Sequence, residues 1–196
     1  PLTSLLGYLE TLSLKADRLT MEENKQYLNI ALRQGNKVRH LSQQLFELAR
    51  LEHGGIKPQP ETFVLAELVQ DVAQKFDLPV ATRNIGLQLE LAAGLPPVTA
   101  DLSMIERVLT NLLDNAIRHT PEGGVIRLAA RRAGPEIIVE VADSGPGIAG
   151  ELRATLFERP SVLEPGAQSA SRGGLGLMIV RRMLQLHGGD IRLLEA

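Results

Sequence analysis

Three short stretches carry side chains and backbone suited to phosphate and a purine. Asn111, Asn115 and Arg118 are spaced by four and then three positions, so on a helix they share one face, with His119 next in the chain. Amide oxygens are hard ligands for Mg²⁺, which keeps waters and phosphate oxygens in its shell, and a guanidinium can fork onto a phosphate. Taken alone, the same face also reads as an ordinary solvated side of a helix. The second stretch, Asp143-Ser144-Gly145-Pro146-Gly147-Ile148, follows an apolar run ending at Val141. A carboxylate at a strand end can accept a hydrogen bond from an exocyclic amine such as adenine's, and Gly145 and Gly147 allow backbone and ligand to approach closely. A plain Gly-Pro turn would look the same. In the third, Gly173-Gly174-Leu175-Gly176-Leu177 opens an apolar helix. Free N–H groups and the helix dipole favour phosphate there, although a tightly packed helix start shares the pattern. The Gly-Lys-Ser/Thr ending of a Walker loop is missing, as is the spacing of a Rossmann fingerprint.

These stretches need elements to position them. Residues 1–53 are helical in pattern. Leu2, Leu5, Leu9 and Leu12 make an amphipathic stripe. A turn over 16–20 precedes a capping box of Thr20 and Glu23, which predicts a second helix running towards Glu52. On it Ala31, Val38, Leu41, Leu45 and Leu48 approximate a heptad seam, with Gln34 at the weak position. Two such helices cannot bury their stripes against each other alone. The expected arrangement is an antiparallel hairpin that dimerises into a four-helix bundle, the alternative being a hairpin packed on the domain that follows. His53-Gly54-Gly55 ends the helix, and Lys57-Pro58-Gln59-Pro60 is a stiff linker. The expected division is therefore a hairpin over 1–55, a linker over 56–60 and a domain over 61–196.

Beyond the linker, helices and strands alternate. A helix is expected between Phe63 and Phe76, a strand over 85–91 and a short strand over 98–100. A strong helix follows from Leu102 to His119. Two strands, 125–130 and 136–141, flank a turn at 132–135. Residues 148–173 read as loop, Gly174–Leu186 as a helix, and Asp190–Leu194 as the start of a strand. The fold class predicted is α+β: the helical hairpin, then a sandwich with helices on one face of a mixed or antiparallel sheet.

Bulk composition narrows the class further. The 196 residues carry a net charge of −2 with no block of like charges, so a nucleic-acid surface is not indicated. Cysteine is absent, which excludes disulfides and thiolate metal sites. With only 3% aromatic residues, the core must be aliphatic. No apolar run reaches the roughly 18–20 residues that span a bilayer.

In combination the stretches resemble the ATPase domain of the sensor histidine kinases of two-component systems, within the superfamily of gyrase, heat-shock chaperone and mismatch-repair ATPases. Asn111–Thr120 resembles its N box, Asp143–Ile148 its G1 box, Leu156-Phe157-Glu158-Arg159 its F box and Gly173–Leu177 its G2 box. Residues 1–53 resemble the dimerisation and phosphotransfer hairpin, Pro1-Leu2-Thr3-Ser4-Leu5-Leu6-Gly7-Tyr8 matching the end of H-E-x-R-T-P-L-T-S-L-x-G-Y.

The resemblance implies ATP and Mg²⁺ as cofactors. Asn115 would be the metal ligand, supported by Asn111. Arg118 and His119 would lie beside the nucleotide, Asp143 would hold the adenine amine, and Gly145, Gly147 and Ile148 would shape that pocket. Gly173, Gly174, Leu175, Gly176 and Leu177 would border the phosphates at the end of a lid over 159–173. Partners would be a second copy through residues 1–53 and the receiver domain of a response regulator. The location implied is the cytoplasmic portion of a bacterial inner-membrane sensor, with the membrane reached only through upstream segments. The family's acceptor histidine falls five residues before Pro1, and none of His40, His53, His119 or His187 fits its motif. Truncation at both ends is therefore expected. Hydrolytic members place a Glu where Asn111 stands, and an amide cannot act as a general base. Phosphoryl transfer is expected over hydrolysis, with a hydrolysing ATPase and a nucleotide-free scaffold as alternatives.

Overall fold

A computed structural model of the chain describes residues 1–15, 18–158 and 174–194. The expected lid and Gly173 lie outside them. The chain divides into two units, Pro1–Ala49 and Arg50–Ala196.

The first unit is built from α1 (Leu2–Leu14) and α2, which spans Met21–Glu52 and so runs past the unit's end. The capping box forms as the sequence predicts. The Thr20 N–H donates to Glu23 Oε2 at 2.9 Å, and the Glu23 N–H donates to Thr20 Oγ1 at 3.2 Å. These bonds, the backbone donor first and the Thr20 hydroxyl second, hold the Glu23 carboxyl below its usual range. Tyr8 and Tyr27 bring α1 and α2 together, their rings 5.8 Å apart. Within the single chain the α1 stripe is only partly covered: Leu5 and Leu12 are half-buried, whereas Leu2 and Leu9 are exposed. On α2, Leu45 of the expected seam is 60% exposed. The reason is geometric, since one helix of a hairpin covers only one side of its neighbour.

The second unit contains β1 (Glu61–Phe63), α3 (Leu65–Lys75), α4 (Asp77–Thr82), β2 (Gly86–Leu91), β3 (Val98–Ala100), α5 (Leu102–His119), β4 (Val125–Ala133), β5 (Glu136–Asp143), α6 (Gly150–Arg153) and α7 (Gly174–Leu186). The main sheet has the order β2-β4-β5, with β2 parallel and β5 antiparallel to β4. A separate ribbon pairs β1 with β3 antiparallel. Along β4, Ile126, Leu128 and Ala130 are buried while Arg127 and Arg131 face out and pair with Glu90 and Glu140. That alternation turns one sheet face towards the helices. Val69 and Val72 of α3, Val80 of α4 and Leu109, Leu113 and Ala116 of α5 complete an aliphatic core. Each fully buried aliphatic side chain contributes roughly 1.5–3 kcal/mol.

Four local expectations need correction. The strand β1 and the helix α4 were not anticipated: β1 has three residues and is defined by its partner, and α4 carries Pro79 in its first turn, where a proline removes no helical bond. The stretch expected to be loop begins with the short helix α6. Residues 190–194 have no regular secondary structure. Alternation of Ile191 and Leu193 can assign a face, but a strand exists only as a hydrogen-bonded ladder with a neighbour.

The helix α5 is anchored at its start by Asp101. Its Oδ1 accepts from the Met104 N–H at 3.0 Å and the Ser103 hydroxyl at 2.7 Å, and its Oδ2 from the Gln59 N–H at 2.8 Å. The Asp101 N–H donates in turn to His187 Nε2 at 3.0 Å, so that nitrogen presents a lone pair and the ring proton sits on Nδ1, donated to the Met183 carbonyl at 2.7 Å. Burial pushes the Asp101 carboxyl up, but the three donors outweigh it and hold the group below its usual range. A depressed carboxyl contributes stability that is present above its unfolded value and lost as pH falls through the folded one. Asp101→Ala is therefore expected to cost about 1 kcal/mol or more at neutral pH and to flatten the acid limb of stability against pH. Urea midpoints measured from pH 7 down to pH 3 check both; parallel curves for the two proteins would contradict the assignment.

Candidate functional site

The C-terminal half of α5 carries Asn111, Asn115, Arg118 and His119. Asn111 is buried, Asn115 and His119 are half-buried and Arg118 is exposed. The core residues Leu109, Leu113 and Ala116 fasten the opposite face, so burial of an aliphatic stripe aims the polar one. The Asn111 Nδ2 is buried without a hydrogen-bond partner among the described residues. A buried amide donor left unpaired costs about 1–3 kcal/mol, and such a group is satisfied when a phosphate oxygen or a cation-bound water supplies an acceptor. This donor set suits Mg²⁺, with amide oxygens from Asn115 and Asn111. No cluster of three or more His, Cys, Asp or Glu among the described residues could hold a metal by itself.

Asp143 ends β5, opposite Ile126 at the start of β4. Beyond it the ladder continues through Ser144, whose N–H donates to the Val125 carbonyl at 3.0 Å and whose Oγ accepts from the Val125 N–H at 2.9 Å. Asp143 Oδ1 accepts from the Gly145 N–H at 2.9 Å. One carboxylate oxygen is thus spent on shaping the turn, and the exposed residue can offer the other to an amine. A Cβ on Gly145 would lie 2.5 Å from that Oδ1 and 2.8 Å from the His119 carbonyl oxygen. This close approach brings the 143–148 turn against the end of α5, uniting two of the three stretches. Gly147 plays a different part, with φ +72° and open space around it. Ile148 is half-buried, and its carbonyl accepts from Arg153 Nε at 3.0 Å.

The third stretch forms the first turn of α7, through Gly174, Leu175, Gly176 and Leu177. Leu177, Ile179, Val180 and Met183 are buried, and α7 packs on α5. All three stretches therefore lie on mutually packed elements. Of the F-box residues, Leu156 and Phe157 are half-buried and Glu158 pairs with Arg181 at 3.2 Å; Arg159 is outside the described residues.

Sequence reasoning overlooked three residues around the site. Gly124 is one: a Cβ there would fall 2.5 Å from Thr120 Cγ2 and 2.6 Å from Ser144 Oγ. Ser144 is the second. Arg83 is the third, its guanidinium reaching the carbonyls of Ile117 and Thr120. None has a local pattern that announces it, because each has a decisive partner distant in the chain: Ser144 for Gly124, Val125 for Ser144, and Ile117 and Thr120 for Arg83. The one available hint was Pro121, which deprives the end of α5 of a backbone donor.

Comparison with known proteins gives this arrangement its class. Residues 100–196 match the histidine kinase-, DNA gyrase B- and HSP90-like ATPases, and residues 1–54 match the His Kinase A (phospho-acceptor) domain. The chain is 37% identical over 147 residues to the alginate biosynthesis sensor protein KinB of Pseudomonas aeruginosa, covering 75% of this chain and 24% of KinB. It is similar to the catalytic domain of histidine kinase ThkA, at 31% identity and TM-score 0.57, covering 65% of this chain and 80% of that one. It also resembles ThkA as solved in complex with response regulator protein TrrA, at 28% identity and TM-score 0.76, covering 96% of this chain and 52% of that one. The chain belongs to the histidine kinase family, and its α+β architecture is that family's. It spans from about a fifth to about half of the length of the curated relatives it matches. No helix among the described residues is long and apolar enough to cross a membrane.

Proposed function

We propose that this chain is the ATP-binding core of a two-component sensor histidine kinase, passing the γ-phosphoryl group to a histidine and thence to a response-regulator aspartate. The observation that carries the reading is the contact of Gly145 with the His119 carbonyl, which puts Asp143 beside the helix bearing Asn111 and Asn115. Asp143 takes the adenine amine on its outer oxygen. Gly145, Gly147 and Ile148 shape the purine's edge, and Arg118 and His119 lie alongside the nucleotide. The first turn of α7, Gly174 through Leu177, would offer its N–H groups to the phosphates, and Gly173 would border them. Asn115, with Asn111 in support, would hold Mg²⁺, which when bound neutralises phosphate charge.

Catalysis on this reading is positioning plus electrostatic stabilisation. An imidazole nitrogen attacks the γ-phosphorus, the bond to the β-phosphate oxygen breaks, ADP leaves, and the imidazole proton passes to solvent. At Asn111 there is no carboxylate to activate water, so the bound ATP is preserved for transfer. None of the chain's own four histidines fits the acceptor motif. Residues 1–55 form the dimerisation hairpin, 56–60 the linker and 61–196 the catalytic domain. The exposed Leu2, Leu6, Leu9, Leu28, Leu32 and Phe46 support a second copy as the partner of the hairpin. A receiver domain is the downstream partner, a reading supported by the complex of ThkA with response regulator protein TrrA. The intact sensor would hold this core on the cytoplasmic side of a bacterial inner membrane.

Calorimetry and turnover assays test this together. Mg·ADP should bind, ATP should be hydrolysed negligibly, and no acid-labile phosphate should accumulate on the chain. Steady hydrolysis without any acceptor would favour a hydrolysing ATPase instead, and absence of nucleotide binding would sink the reading.

A further inference from the structure

Resting on the nucleotide reading above, we propose that Arg83 is a positioning residue for the ATP site, holding the last turn of α5 through its backbone carbonyls. In an α-helix each carbonyl accepts from the N–H four residues on. The Ala116 carbonyl is served by the Thr120 N–H at 2.9 Å and the Thr120 hydroxyl at 2.7 Å. The next carbonyl, Ile117's, would turn to residue 121, which is a proline and has no N–H. That proline also drives Thr120 to an extended conformation, with φ −70° and ψ 128°. The helix stops abruptly, leaving the carbonyls of Ile117 and Thr120 without helical donors.

Arg83 supplies both. Its Nη1 donates to the Ile117 carbonyl and its Nη2 to the Thr120 carbonyl at 2.9 Å. A planar fork carrying positive charge suits two carbonyls at the negative end of a helix dipole. The base of the fork is itself secured. The Arg83 N–H donates to the Val80 carbonyl at 3.2 Å. Asn84, with φ +51°, offers its carbonyl to the Gly123 N–H at 3.0 Å. This ties the 83–84 turn to the 121–124 turn.

Arg118 and His119 lie between the two clamped carbonyls in sequence. On the other side, the Gly145 backbone closes on the His119 carbonyl. Arg118 and His119 are thus gripped between a cation far earlier in the chain, at position 83, and a glycine turn far later, at position 145. Arg83 acts through the helix end, since both of its terminal nitrogens donate there.

The test is calorimetry of Mg·ADP with the chain and the variants R83M, R83K, R83M/P121A and K75A, each at a temperature where denaturation curves show it folded. R83M should bind about tenfold more weakly, as expected for losing charge-assisted bonds that hold a binding element. R83K should recover part of the loss, since an ammonium can serve one carbonyl. P121A should recover part of the loss in R83M, because it restores a backbone N–H for the Ile117 carbonyl. K75A breaks the Lys75–Glu106 pair that links α3 to α5 and should leave affinity unchanged, which separates positioning from mere stability. If R83M binds like wild type while wild type binds well, Arg83 has no positioning role and the nucleotide reading stands. Failure of P121A to recover any binding in R83M would overturn the donor-replacement argument. If wild type does not bind, the nucleotide reading falls and the role of Arg83 with it.

Discussion

Asp143→Asn is expected to weaken Mg·ADP binding about a hundredfold while leaving the fold intact. The asparagine can keep its Oδ1 on the Gly145 N–H, so the turn survives. What changes is the outer atom, which becomes an NH₂ facing the adenine amine, donor against donor. A hydrogen bond to a charged acceptor is worth about 1.5–3 kcal/mol, and the opposed donors add to its loss. The side chain is exposed, so denaturation midpoints should barely move. Calorimetry and urea titration on the same preparations check the two halves. Unchanged affinity for ADP would remove Asp143 from the purine site and leave the G1 turn as a structural element only.

Gly145→Ala should damage both stability and binding, for a reason visible only in three dimensions. Its new methyl would meet the Asp143 Oδ1 at 2.5 Å and the His119 carbonyl oxygen at 2.8 Å. The second is backbone at the end of a helix and cannot swing aside as a side chain would. Overpacking of this kind typically costs about 1–3 kcal/mol. The relaxation has to separate the 143–148 turn from α5, and a shift of order 1 Å in a binding constellation costs on the order of a hundredfold. Gly147→Ala is the informative contrast. Nothing lies within 4 Å of its Cβ, but its φ of +72° strains any L side chain. It should lose about 1–2 kcal/mol of stability with less loss of ADP affinity in the folded fraction. If the two variants behaved alike in both measurements, the close approach of Gly145 to His119 would not be what joins the site.

The two glycines show how far sequence carried the argument. In the sequence both permit close approach, from one motif and one rationale. The structure separates them into one position limited by space and one limited by φ. The difference arises because the atom that forbids a side chain at 145 belongs to residue 119, and no local pattern records that neighbour. A similar limit hid Arg83 and the Asp101–Gln59–His187 connections, whose partners lie between 34 and 86 positions away.

The helices α5 and α7 were bounded by sequence alone, at Leu102–His119 and Gly174–Leu186, as was the capping box at Thr20. Helical bonds span four residues, so periodicity, caps and breakers within reach of each turn suffice to specify them. The polar face of Asn111, Asn115 and Arg118 followed from the same spacing. Tertiary structure alone decided the rest: that β2 runs parallel to β4, that β1 exists as the partner of β3, that 190–194 forms no ladder, and that the 143–148 turn abuts the end of α5. Each of these turns on pairing or packing between residues distant in the chain, set by how aliphatic faces pack and by which backbone groups remain to be paired. Neither is written in any window of neighbouring residues.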